Sequence, residues 1–168
     1  MSDCGTNSCL CHASTAVSQS MDEMDFEKGL WGAASDGNLA RIRDLINKGK
    51  NPNDPDSYGY TALHYAARGG RVEVVRELLS RGACPRAQTR GGATPGHRAA
   101  YAGHEAVLWS LLVDGAESLV DSDGDTVVHK AVKGGHHSLA LEIIARFPGL
   151  ATVRNNRQQL YDLREAAD

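Results

Sequence analysis

The chain has 168 residues, 41% of them hydrophobic and 23% charged, with a formal net charge of −3. That length suits one domain able to bury its own core, and no apolar run approaches the roughly 18 residues that cross a bilayer. The slight acidic excess argues against nucleic acid, whose affinity comes largely from surplus Lys and Arg.

Residues 1–21 read as a disordered tail rich in Cys and Ser. Met1–Ser20 contains neither Lys nor Arg nor an apolar stretch, and Ser2 stands where N-myristoylation needs Gly. Neither a secretory nor a mitochondrial leader is expected, and the expected location is intracellular, cytoplasmic or nuclear. The cysteines are Cys4, Cys9, Cys11 and Cys84, a spacing that makes no disulfide framework and suits a reducing compartment. Cys4, Cys9, Cys11 and His12 offer four ligands soft enough for zinc. Cys11 and His12 are adjacent and hard to aim at one ion, so neither a metal nor any other cofactor is expected.

From residue 22 onward the chain copies itself. Gly37, Gly70 and Gly103 recur every 33 residues, as do Gly49, Gly82 and Gly115, and Gly135 follows Gly103 by 32. Thr61, Thr94 and Thr126 keep the same phase, with His64, His97 and His129 three residues after each. A fixed period of this length means stacked supersecondary units, here at about 24–55, 56–88, 89–120 and 121–153, with a terminal cap at 154–168.

Each unit predicts two short helices. The first is Ala-rich, with Ala33-Ala34, Ala66-Ala67 and Ala99-Ala100, as close helix packing requires. The second carries an apolar stripe in helical spacing: Ile42, Leu45, Ile46; Val75, Leu78, Leu79; Leu108, Leu111, Leu112; Ala140, Ile143, Ile144. A Gly breaks the first helix and another caps the second. Asp56-Ser57-Tyr58-Gly59 and Asp121-Ser122-Asp123-Gly124 have turn composition and should project as hairpin fingers.

Thr before a helix accepts a backbone N–H, and His three residues on lies one turn above it. With no carboxylate or Cys in matching phase, Thr61, His64, Thr94, His97, Thr126 and His129 read as scaffold, and His104 and His136 as polar residues opening second helices. Gly96 stands where the other units carry Leu30, Leu63 and Val128. If Trp109 or Leu108 does not fill that core slot, Gly96→Leu should raise the melting temperature.

The stretch GYTALHYAARGGRVEVVRELLSRGA, from Gly59 to Ala83, resembles an ankyrin repeat almost position by position. Weaker copies follow as GATPGHRAAYAGHEAVLWSLLVDGA and GDTVVHKAVKGGHHSLALEIIARFPG, MDFEKGLWGAASDGNLARIRDLINKGK resembles an N-terminal capping repeat, and QQLYDLREAAD a truncated C-terminal one. The resemblance therefore covers about 22–168. It implies an all-α solenoid of about four helix-pair repeats, with β-hairpin-like fingers and a C-terminal capping helix.

It further implies that the first helices and fingers line a concave groove that holds a protein partner. The family's variable positions fall on Ser57, Tyr58, Tyr60 and Arg68, on Arg90, Ala93 and Tyr101, and on Ser122, Asp123, Asp125 and Lys133. With Tyr65 and Arg98 the Tyr and Arg side chains would make an aromatic, basic centre of hot-spot chemistry beside an acidic fringe at Asp121, Asp123 and Asp125. The plainer alternative has Tyr65 and Tyr101 packing between helices and the arginines solvated.

Enzymatic signatures are missing from the sequence: there is no phosphate-cradling Gly loop, nucleophile elbow or HExxH helix. The expectation is a monomeric, non-catalytic protein-interaction module acting as an adaptor, assembly factor or scaffold. Two alternatives are an inhibitor binding an enzyme such as a kinase, and a metal-binding protein working through the tail.

Overall fold

The computed structural model describes residues 29–112, 119–157 and 159. Four helix pairs follow one another: α1 (Leu30–Asp36) with α2 (Leu39–Asn47), α3 (Ala62–Arg68) with α4 (Val72–Ser80), α5 (Pro95–Ala102) with α6 (Glu105–Leu111), and α7 (Val127–Lys133) with α8 (His137–Arg146). A 3-10 turn, Pro148–Thr152, follows α8. The first helices form one row, α1 on α3 on α5 on α7, while α2, α4 and α6 form a second row behind it. Contacts run between sequence neighbours, which makes the molecule a solenoid held by nearest-neighbour interfaces.

The helices are short because their signals are. Thr61, Thr94 and Thr126 start α3, α5 and α7 with capping boxes, in which His64, His97 and His129 return a bond to the Thr backbone. Ala33, Ala34, Ala66, Ala67, Ala99, Ala100 and Ala131 are buried between the first helices, where their small size permits close approach. The second helices supply the bulk, with Ile42, Leu78, Leu108, Leu111 and Ile143 fully enclosed. Each such aliphatic contributes about 1.5–3 kcal/mol when removed from water.

Two glycine contacts set the spacing between units. Gly70 (φ 67°) and Gly103 (φ 74°) adopt the left-handed conformation that L side chains avoid. A Cβ on Gly70 would sit 2.7 Å from the His104 ring, and one on Gly103 would run into His136. His104 and His136 do open α6 and α8, but without a side-chain cap bond. His104 instead donates from Nε2 back to the Arg68 carbonyl at 3.1 Å. Gly134 is tighter still, since a Cβ there would collide with the Tyr101 carbonyl; at the matching Gly69 the nearest such oxygen, that of Ser35, is 3.4 Å away.

The fingers are hydrogen-bonded turns, and no strand forms among the described residues. Asp56 N–H donates to the Tyr60 carbonyl at 2.8 Å, Thr89 to Ala93 at 3.0 Å, and Asp121 to Asp125 at 3.1 Å. Successive fingers are laced together, with Arg90 N–H on the Tyr58 carbonyl at 3.0 Å, Ser122 on Gly91 at 2.9 Å and Asn156 on Asp123 at 2.9 Å. The Gly96 slot is indeed inside, but a Cβ there would meet Val127 at 3.6 Å and Leu112 at 3.8 Å. Those side chains and the Thr94 hydroxyl, at 3.5 Å, are the nearest neighbours, and Ala is the residue whose atoms are shown to fit. The expected tail at 1–21 and most of the expected terminal cap lie outside the described residues.

Candidate partner-binding groove

A cavity of about 390 Å³ opens between the fingers of the second to fourth units and the first helices of the third and fourth. Tyr58 and Tyr60 come from the second finger, Arg90 from the third, Arg98 and Tyr101 from α5, and Asp123 from the fourth finger. These are six of the ten expected partner-contacting residues. Tyr58 is 67% exposed and Tyr101 53%, so two large aromatic side chains face water at the rim. Tyr60 is held in place: the Arg98 guanidinium lies over its ring, 4.9 Å from the centroid, and Arg98 Nη2 donates to its hydroxyl.

The other four expected contacts do not line this cavity. Tyr65 donates its hydroxyl to Asp56 Oδ2 at 2.7 Å, and burial together with that carboxylate pushes the phenol well above its ordinary range. Arg68 is exposed at the end of α3. Asp125 is 0% exposed, with its carboxylate taken by Asn155 at 3.0 Å, by Lys130 at 3.0 Å and by Lys133. Burial opposes its charge, but Lys133, Asn155 and Lys130 together outweigh that and hold its pKa down to about 2. Lys133 is thus engaged with Asp125.

Two of the three fringe carboxylates, Asp121 and Asp125, are likewise internally satisfied. Asp121 accepts the N–H groups of Asp123 and Asp125 at 2.9 Å each, and faces Lys130 Nζ at 2.6 Å. Asp121, Asp123 and Asp125 lie close enough to share a cation, but Lys130 and Lys133 already supply positive charge there, and the cluster reads as a salt-bridge network. The zinc candidates Cys4, Cys9, Cys11 and His12 lie outside the described residues. Cys84 is disulfide-bonded, a single bridge rather than the disulfide framework that the cysteine spacing argued against.

The Thr and His residues form a relay through the wall behind the groove. Thr61 N–H donates to His64 Nδ1 at 3.1 Å, Thr94 to His97 at 3.2 Å, and Thr126 to His129 at 3.2 Å. An Nδ1 that accepts leaves the ring proton on Nε2. His64 Nε2 donates to the Ala93 carbonyl at 3.0 Å, His97 to Asp125 at 2.9 Å and His129 to Gln159 at 3.1 Å. Each imidazole therefore caps its own helix and bonds the finger of the next unit. Burial disfavours the imidazolium, lowering His97 and bringing His64 down to about 4.

Several working residues were not singled out from the sequence for these roles. Asp56, Thr89, Asp121 and Asn155 occupy one phase, and each accepts backbone N–H bonds that shape its own finger. Their common polarity in register was the available signal. Lys130, which neutralises two carboxylates, had none, because its partners come from outside its helix.

A family model described as ankyrin repeats (3 copies) matches residues 10–89 and 30–119. The chain is similar to ankyrin repeat domain-containing protein 39 of Bos taurus, with 54% identity over 67 residues, and to that of Homo sapiens, with 51% over 67 residues. Each alignment covers 39% of this chain, and the chain spans only 37% of the length of either relative. With the model's matches running over more than half of its length and its helix pairs stacked in the same period, the chain belongs to the ankyrin repeat family.

Proposed function

We propose that the groove between the fingers and the first helices holds a segment of a protein partner, and that the chain acts as an adaptor, assembly factor or scaffold with no chemistry of its own. Ankyrin repeats are protein-interaction modules and are generally non-catalytic. The observation that carries the proposal is the pairing of exposed Tyr58 and Tyr101 with Arg90 and Arg98 around one cavity. Tyr and Arg bury large areas while losing little rotamer freedom, and they dominate binding hot spots. An amphipathic groove of this kind is costly to leave in water and gains when covered.

No helix among the described residues is long and apolar enough to cross a membrane. The test uses the full chain, immobilised and panned against a library of random 15-residue peptides, beside the double variant Tyr58→Ala, Tyr101→Ala. Both side chains are exposed, so the variant should keep its circular dichroism. Peptides retained by the parent should be released by the variant. Retention by both proteins alike, or by neither, would overturn the groove as the docking site.

A further inference from the structure

Three cations, Arg90, Arg98 and Lys130, and two carboxylates, Asp121 and Asp123, border the groove, leaving its wall one positive charge in excess. Lys130 is committed to Asp121 and Asp125, at 2.6 and 3.0 Å. The arginines are not held by anions; Arg98 rests on the Tyr60 ring and donates to its hydroxyl. Among the described residues neither Arg90 nor Arg98 pairs with a carboxylate. Arg98 is half-buried, its Nη2 faces only the neutral Tyr60 hydroxyl, and its Nε is enclosed with no acceptor. A guanidinium withdrawn from water without an anion, and with an orphaned N–H, is under-satisfied. The planar fork of Arg matches a carboxylate better than any other group a peptide offers without modification.

We infer that the groove receives an extended acidic peptide segment of a protein partner, seating an Asp or Glu carboxylate on Arg98 and Arg90 with an apolar or aromatic neighbour between Tyr58 and Tyr101. This rests on the groove being the docking site. The excess of one charge matches a monoanion. A phosphate, with about −1.5 to −2 at neutral pH, would leave surplus negative charge beside Asp121 and Asp123. A volume of about 390 Å³ is near the lower bound of small-ligand pockets, and suits one or two side chains entering from a chain that lies across the fingers.

The experiment takes peptides retained in the panning described above and measures each by fluorescence anisotropy. Retained sequences should be enriched in Asp and Glu. Changing the acid to Asn or Gln should weaken binding by about tenfold or more, as truncation of one member of a desolvated charge pair does. Arg98→Gln should weaken it equally, with Arg98→Lys losing less because charge survives without the fork. Arg90→Gln serves as a second variant should Arg98→Gln disturb the Tyr60 contact and the circular dichroism.

Neutral peptides that are released by the Tyr58→Ala, Tyr101→Ala double variant would overturn the carboxylate assignment and leave the groove standing. A phosphoserine peptide that binds more tightly than its glutamate counterpart would overturn it in favour of phosphate. Peptides indifferent to both the Tyr and the Arg variants would remove the groove and this assignment together.

Discussion

Acidification should weaken the stack through its buried imidazoles. His64 takes up a proton in the unfolded chain at about 6.5 but in the folded protein only at about 4. Its Nδ1 accepts the Thr61 N–H at 3.1 Å and lies 3.0 Å from the Thr61 hydroxyl, while Nε2 bonds the Ala93 carbonyl. A second proton would have to enter on Nδ1 and break the cap. Burial is the largest cause of the depression; Arg98 and His97 add to it, while the Ala93 carbonyl and Asp56 oppose it. Because the unfolded state binds the proton first, the contribution is complete above about pH 6.5 and is lost as pH falls toward 4. Integrated over that window it is worth about 3 kcal/mol. His97 adds a contribution of the same sign.

The carboxylates act at lower pH. Asp121 and Asp125 are depressed below 3.8 and Glu77 below 4.5, so their contribution is lost as pH falls through those values, at or beyond the acid end of the titration. Urea titrations followed by circular dichroism between pH 7 and 4.5 should give a stability slope approaching about 1.4 kcal/mol per pH unit for each buried imidazole that titrates. His64→Gln keeps an acceptor that a capping box tolerates and removes one titrating group. The variant should be weaker at pH 7 and shallower in slope. Stability that stays level from pH 7 to 5, or equal slopes in parent and variant, would refute the reasoning.

Gly96→Ala should raise stability by up to about 0.5–1 kcal/mol, because the first turn of α5 loses a flexible residue and gains a methyl with room for it; a lower melting temperature would show that the methyl clashes with Val127 or Leu112. Gly134→Ala should cost about 1–3 kcal/mol by forcing α7 away from the Tyr101 carbonyl, and Gly69→Ala clearly less, a contrast readable in paired thermal melts. Asp125→Asn should cost about 2–3 kcal/mol, reduced from the value for a fully enclosed pair because Lys133 is partly solvated; a change within about 0.5 kcal/mol would mean the lysines find water instead.

The architecture was legible because it is written in phase. Gly at each helix break, Thr before the first helix of the second, third and fourth units and an apolar triplet in each second helix repeat at one interval, and periodicity survives without knowledge of what touches what. The groove was legible in part. Tyr58, Arg90 and Tyr101 project from turns or helix faces whose orientation follows from the repeat.

Tyr65 is in phase with Arg98 and Asp125 with Tyr60, yet Tyr65 is tethered to Asp56 and Asp125 is enclosed by Lys130, Lys133 and Asn155. Those partners lie in other elements or other units, and spacing along one strand of text carries no information about them. The same limit hid the second bond of each imidazole, since His64 and Ala93 are 29 residues apart. The Cys84 bridge was hidden for a related reason, because cysteine counting judges spacing rather than proximity.

The glycine contacts give the assembly a direction. Gly37, Gly70 and Gly103 each leave a notch that a side chain from the following unit enters, namely Arg71, His104 and His136. The male and female halves of this joint face opposite ways along the axis, so reversing or shuffling modules would set notch against notch. Arg71 also differs in shape from the two imidazoles, which makes the first joint unlike the others. Chimeras grafted at the second or third joint should accept each other's parts more readily than those cut at the first.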